Sequence, residues 1–173
     1  MKFQLSRAKI FSWTFLALGI ASAIFIAAAS VNYSKLYPAL SHLDVGVSAI
    51  SFGNGLTAQI FVSNPVDYTG LSAASAGIQL YFLSGNSSLY QNSTITDSIY
   101  FNTRIAPSEN TTLSWTLRLS TVQTSALTNF YQTHNQNVVV HYSLSLDVAS
   151  FLQGEAGSAT YDKAGQIPLI VQP

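Results

Sequence analysis

Hydrophobic and polar positions divide the chain into two parts of different periodicity. Residues 10–29 read IFSWTFLALGIASAIFIAAA, an apolar run without a charged side chain. From residue 44 onward, apolar and polar positions alternate in short runs, the period-two pattern of strands with one buried face. We therefore expect an N-terminal apolar helix followed by a β-domain over residues 44–173.

The apolar run has the length of a transmembrane helix. About twenty residues at about 1.5 Å each cover roughly 30 Å, the thickness of a bilayer's hydrocarbon core. Lys2, Arg7 and Lys9 precede the run and only Lys35 follows it closely. The positive-inside rule then predicts a single-pass protein of the cell membrane, with residues 1–9 cytoplasmic and the C-terminal domain outside.

A cleaved signal peptide is the alternative interpretation of the N-terminus. Ala27 and Ala29 precede Ser30 in an A-x-A-like cleavage pattern. The apolar run is longer than the ~7–15 residues of a signal-peptide core, which favours a retained signal anchor. Residues 30–43 contain Pro38 and no clean period, and we expect a short stalk there that allows one helical turn.

The alternating runs predict about seven strands. Val45, Val47 and Ala49 share one face of the first run, whereas Ile50 and Phe52 fall on the other, so either both faces are covered or a bulge lies near Ala49. The turn at residues 53–55 should join the first two strands as an antiparallel pair. The apolar faces of the later strands are Leu56, Ala58, Ile60 and Val62; Ile78, Leu80 and Phe82; Ile95, Ile99 and Phe101; Leu113, Trp115, Leu117 and Leu119; and Val138, Val140, Tyr142, Leu144 and Leu146.

One short helix interrupts the strands at residues 121–134. Its apolar positions recur at helical spacing, and Ser120 or Thr121 is placed to cap its start. These positions are Val122, Ala126, Leu127 and Phe130 or Tyr131. Regular turns and the absence of βαβ spacing favour an all-β, antiparallel β-sandwich.

Composition narrows the classes of partner and chemistry. Only 8% of residues are charged and the net charge is zero, so nothing recruits nucleic acid. The chain has no cysteine, which excludes disulfides, thiolate metal sites and a cysteine nucleophile. A surface of hydroxyls and amides changes little with pH, and we hypothesise an acidic or otherwise harsh exterior.

No constellation of residues predicts catalysis, a metal or a cofactor. His42, His134 and His141 fall in three different elements, without the spacing of metal ligands. The seven carboxylates are scattered, mostly at turns and strand ends, where local backbone hydrogen bonds are their usual role. No nucleophile elbow or phosphate loop occurs. We therefore predict a protein that is not an enzyme, and an enzyme such as a paired-carboxylate glycosidase is the least favoured alternative.

Four sequons match N-x-[ST]. Asn86, Asn92 and Asn110 lie in or near predicted turns of the outer domain, where a glycan would be tolerated. Asn32 lies too near the membrane. The first three are the candidate N-glycosylation sites.

The order of these elements resembles the group 2 late embryogenesis abundant proteins, the WHy (water stress and hypersensitive response) domain family. The resemblance covers about residues 44–173, and its sharpest motif is Asn64-Pro65 at the end of the second strand, followed by Tyr68. It implies an immunoglobulin- or fibronectin-like sandwich of about seven strands, without catalytic residues or cofactor. Members of the family are linked to desiccation and stress protection, and many plant members carry one N-terminal transmembrane helix.

Two functional hypotheses follow. The first is a non-catalytic single-span protein that displays its sandwich for envelope or stress protection or for protein–protein contact. The second is an accessory subunit that docks its sandwich on a catalytic or structural partner in a larger membrane complex. In both, the bilayer is the partner of residues 10–29, and a protein partner or a homo-oligomer is a further candidate. A pilin-type filament ranks lower, because Ile10 follows the last basic residue where a Gly-type processing site would be expected.

Overall fold

The structure, a computed structural model, describes residues 7–85, 87–89, 95–134, 137–151 and 154–171. Its described part contains two helices and eight strands. Their order is α1 (Arg7–His42), β1 (Asp44–Phe52), β2 (Leu56–Asn64), β3 (Leu71–Ser84), β4 (Ser87–Ser88), β5 (Ile95–Arg104), β6 (Glu109–Leu117), α2 (Thr121–Thr133), β7 (Val139–Ser150) and β8 (Gly154–Val171).

Helix α1 is longer than the apolar run. Residues 9–31 are exposed, and the helix is long and apolar enough to cross a membrane. It continues to His42 with Pro38 inside it, so the predicted stalk is helical and that expectation is corrected. The reason is packing: Leu36, Ala39 and Leu43 recur at helical spacing and are buried against the domain.

The strands form one curled mixed sheet in the order β4-β3-β7-β8-β1-β2-β6, with β5 also paired to β3. All pairs are antiparallel except β1 with β8, which is parallel at Ile50–Phe52 and Leu169–Val171. The mostly-β expectation is confirmed, whereas eight strands with a parallel pair depart from the seven antiparallel strands expected. Because β8 is 18 residues long, its end extends beyond β7 and reaches β1.

Strand periodicity identified the core. The four apolar positions of β2 are fully buried, and so are nearly all of those on β3, β6 and β7. The register of β1 and β2 shifts between Val47 and Ala49, which confirms the bulge. Ile99 and Phe101 are half-buried and pack against the core, and Phe101 meets Trp115 edge to face at 6.4 Å between ring centroids. Strand β3 begins at Leu71 rather than near Ala76.

Helix α2 begins with a capping box. The Ser120 hydroxyl accepts from the Gln123 backbone N–H at 3.2 Å, and the Gln123 side chain accepts from the Ser120 N–H at 2.9 Å. Leu127 and Phe130 are buried, as expected. Val122 is 75% exposed instead of apolar-facing, because five residues at about 100° each place it about 140° around the helix from Leu127.

Candidate functional site at the helix-domain junction

The last turns of α1 and the β-domain form one packed unit. Leu36, Ala39 and Leu43 are buried in the same core as the sheet. The Tyr161 hydroxyl of β8 donates to the Leu40 carbonyl of α1. Burial raises the pKa of Tyr161 to about 12, so the phenol remains a hydrogen-bond donor at ordinary pH. The orientation of the helix relative to the domain is therefore set by core packing.

Two exposed ion pairs flank this packing. Lys35 Nζ lies 3.4 Å from Asp67 Oδ2, and Lys163 Nζ lies 3.6 Å from Asp44 Oδ1. Exposed pairs of this kind contribute less than about 1 kcal/mol each and weaken with salt. They balance the charge of the junction more than they stabilise it.

The loop at residues 65–70 is shaped by the buried Asn64 side chain. Its Nδ2 donates to the Tyr68 carbonyl at 3.3 Å, and its Oδ1 accepts from the Val66 N–H at 3.1 Å. The Tyr68 N–H also donates to the Val66 carbonyl at 2.8 Å. Pro65, which has no N–H to offer a neighbouring strand, ends the β2 ladder. Asn64 thus supplies inside the core the hydrogen bonds that the loop backbone would otherwise lack.

Tyr68 fixes the same loop to β7. Its hydroxyl and the Ser150 hydroxyl lie 2.7 Å apart, and both residues are buried. The Tyr68 ring lies against Gly70, where any side chain would collide with the ring. The structure therefore brings Asn64, Pro65 and Tyr68 together as a packed loop, a structural role for the family-motif residues.

An exposed aromatic residue ends this side of the domain. Phe151 is 47% exposed, and its N–H donates to the Gly70 carbonyl at 3.0 Å. The Arg104 guanidinium carbon lies 5.0 Å from the Phe151 ring centroid, within cation–π distance. We call the end of the sheet where α1 is followed by β1 the helix-proximal end; it includes the loop 65–70 and Phe151. This end thus combines apolar, cationic and paired charged groups.

Asp97 joins the two ends of the curled sheet. Its Oδ2 accepts from Trp115 Nε1 at 3.3 Å and from the Arg118 N–H at 3.0 Å, while Arg118 Nη2 lies 3.0 Å from Oδ1. Partial burial raises the pKa of Asp97, but the hydrogen bonds from Arg118 outweigh it and hold that pKa below its ordinary value. Sequence reasoning missed this role. The sequence did contain a signal for it, because Asp97 is a carboxylate on the same strand face as the inward residues Ile95 and Ile99, where it needs hydrogen-bond donors.

A shallow groove lies on the outer face of β3, β7 and β8. Amide, hydroxyl, aromatic and imidazole groups line it, from Gln79, Tyr81, His141, Ser143, Ala164 and Gln166. Farther along the same face, Asp147 accepts hydrogen bonds from Ser75 at 2.5 Å and Thr160 at 2.7 Å, which lower its pKa. This face therefore presents hydroxyl, amide, imidazole and carboxylate groups, some of them hydrogen bonded to one another across the strands.

The predicted candidate residues do not converge on one site. His42 lies on α1, His134 caps the far end of α2 and His141 lies on the outer face of β7. Within the described ranges, no group of three or more His, Asp or Glu side chains is placed to hold a metal. Asn110 is exposed on β6, whereas Asn86 and Asn92 lie outside the described residues.

Comparisons with known proteins give similarities of fold at low identity. No protein-family model and no curated protein matches the chain. The chain is similar to a solution structure from Arabidopsis thaliana (15% identity, 75% of this chain and 80% of that one, TM-score 0.41). It is also similar to a solution structure of a candidate late embryogenesis abundant (LEA) protein, with 15% identity over 86% of this chain and 88% of that one and a TM-score of 0.43. A crystal structure of an Archaeoglobus fulgidus protein is similar with 10% identity over 73% of this chain and 94% of that one and a TM-score of 0.34. At these identities and TM-scores, the similarities assign neither family nor activity.

Proposed function

We propose that this chain is a non-catalytic single-span membrane protein that displays a WHy-like β-sandwich outside the membrane for envelope or stress protection. One observation carries the proposal. Residues 9–31 of α1 expose apolar side chains, yet the same helix continues without a break into the buried turns of the junction. An apolar surface of that length is stable when it is covered by lipid. The protective role is the contribution of the family resemblance.

The orientation follows from charge. Lys2, Arg7 and Lys9 precede the span, and Lys35 beyond it is paired with Asp67. The basic N-terminal segment therefore belongs to the cytoplasmic side.

Because the chain has no cysteine, single-cysteine variants test this topology directly. Val122→Cys, at a 75% exposed position of α2, should react in intact cells with a membrane-impermeant maleimide. Ser6→Cys is the matched control and should react only after permeabilisation. Alkaline carbonate should leave the protein in the membrane pellet. Labelling of Ser6→Cys alone would reverse the topology, and release of an intact chain by carbonate would refute the span.

The accessory-subunit function is the second candidate. The uncovered outer face favours it, since Tyr81 and Tyr100 are 42% and 91% exposed there. A subunit should leave detergent-solubilised membranes with a partner in fixed stoichiometry, and a protective domain should be recovered alone or as a homo-oligomer.

A further inference from the structure

We propose that the helix-proximal end of the β-domain sits in the headgroup layer of the bilayer, with Phe151 and Arg104 as its contact with zwitterionic lipid. This inference rests on the proposed function, because the depth of the domain is measured along α1. It adds a second membrane contact, made by the β-domain itself.

The position along α1 at which side chains become buried indicates how far the β-domain lies from the hydrocarbon core. Every described side chain from residue 9 to residue 31 is exposed, and Asn32 is the first that is partly buried. Asn32 lies three residues beyond the predicted span, which corresponds to about 4.5 Å along a helix. A headgroup layer is roughly 5–7 Å deep on each side of a ~30 Å hydrocarbon core. The first partly buried residue of α1 therefore falls inside that layer.

The helix cannot hinge freely to lift the domain away. Leu36, Ala39 and Leu43 are buried, and Tyr161 is hydrogen bonded to the Leu40 carbonyl. The Lys35–Asp67 pair places the loop 65–70 beside the fourth residue beyond the exposed segment 9–31, about 6 Å along the helix. Packing thus joins α1 and this end of the domain into one unit, which can approach or leave the bilayer surface only by tilting together with the helix.

The chemistry of this end suits lipid headgroups. Phe151 is 47% exposed and the Arg104 guanidinium lies over its ring. This end therefore presents an apolar ring next to a guanidinium, a cation that binds phosphate groups well. Tyr33, the residue after Asn32 on α1, is 61% exposed at this depth, where tyrosines favour the membrane interface. The charges are balanced, because Lys35–Asp67 and Lys163–Asp44 form pairs and Glu109, which is paired with Asn64 at this end of the sheet, offsets Arg104. This balance matches a zwitterionic surface better than an anionic one.

Quenching of a fluorophore by headgroup-labelled lipid tests the inference. The full chain would be reconstituted in phosphatidylcholine vesicles that contain a lipid with a nitroxide on its headgroup, with one environment-sensitive fluorophore per variant. The reporter is Phe151→Cys, and Thr69→Cys on the exposed loop is a second reporter if the first variant fails to fold. Val122→Cys is the distal control. Val122 follows β6, whose nine residues lead away from the helix-proximal end and span roughly 30 Å.

We expect fluorescence emission to fall about twofold or more at the two reporters. Emission at Val122→Cys should stay unchanged, because the ~30 Å separation keeps that fluorophore out of reach of the nitroxide. Phe25→Cys reports the span separately, in phosphatidylcholine vesicles whose nitroxide is on the acyl chain instead of the headgroup. Quenching at Phe25→Cys without quenching at either reporter would overturn this inference and leave the single-span function intact. No quenching at Phe25→Cys would overturn both.

A substitution separates direct contact from mere proximity. Phe151→Ser should reduce quenching at Thr69→Cys, whereas Tyr100→Ser, which removes a 91% exposed ring from the outer face, should not. Equal quenching in wild-type and Phe151→Ser backgrounds would show that Phe151 does not seat the domain and would refute its role as a lipid contact.

Discussion

At the scale of single residues, the shape of the domain depends on a few buried polar groups. Asn64 and Ser150 are buried polar residues, and their side chains hydrogen bond to the loop backbone and to Tyr68. Asp97 similarly satisfies Trp115 and Arg118. Removing one partner from the Asn64 or Ser150 hydrogen bonds leaves the other group unsatisfied in the core, whereas Arg118 remains exposed to water.

Tyr68→Phe tests the buried hydroxyl pair. We expect the free energy of unfolding to fall by about 1–3 kcal/mol, because the Ser150 hydroxyl loses its partner inside the core. Tyr81→Phe, at a 42% exposed position, is the control and should change it by less than about 0.5 kcal/mol. Urea unfolding followed by the fluorescence of the buried Trp115, in a Trp13→Phe background, measures both. Strict additivity of Tyr68→Phe with Ser150→Ala would contradict a direct interaction.

Asn64→Ala tests the shaped loop. Loss of the bonds to Val66 and Tyr68 should destabilise the domain by about 2–3 kcal/mol, since two backbone groups lose their buried partner. Asn110→Ala, on the exposed part of β6, is the matched control. An unchanged unfolding midpoint for Asn64→Ala would mean that water replaces the side chain.

At the scale of elements, α1 serves two environments. Its first part is exposed and apolar, and its last turns complete the domain core through Leu36, Ala39 and Leu43. Pro38 removes one helical hydrogen bond, which tertiary packing on both sides of it offsets. The helix is therefore both the candidate span and a structural part of the domain.

Leu36→Ala tests the docked turns. We expect a loss of about 2–4 kcal/mol from the free energy of unfolding, because a cavity forms between α1 and the sheet. Tyr37→Ala, one residue later but 79% exposed, should cost less than about 0.5 kcal/mol. Denaturant unfolding in detergent compares the two. Equal effects would show that the junction is not packed in the folded protein.

At the scale of the whole molecule, the curled sheet is held by apolar packing and few charges. Only 8% of residues are charged, and two of the carboxylates, Asp97 and Asp147, have lowered pKa values. A lowered folded-state pKa contributes stability above the unfolded-state value, and that stability is lost as pH falls through the folded-state pKa.

We therefore expect the free energy of unfolding to stay nearly flat from about pH 8 to about pH 5 and to fall only below about pH 4. Asp97→Asn should lower stability at neutral pH and make the acid decline shallower. Circular dichroism against pH at fixed urea measures both profiles. Unfolding at mildly acidic pH would contradict the prediction and the hypothesis of an acid-tolerant exterior.

The sequence by itself determined the features that depend on near neighbours. Twenty or so apolar residues indicate a helix of membrane length, alternation identified the buried faces of the strands, and Ser120 or Thr121 indicated the helix start. The bulge near Ala49 was one of the two alternatives that the sequence offered, because two apolar faces met within one strand. Each signal lies within a few residues of the chain.

The tertiary structure alone decided how these elements meet. The parallel pairing of β1 with β8, the Asp97 contacts with Trp115 and Arg118, and the continuation of α1 into the core join residues far apart in sequence. Tyr161 reaches Leu40 across 121 positions. Local periodicity carries no information about such partners, since they are selected by the packing of the whole sheet.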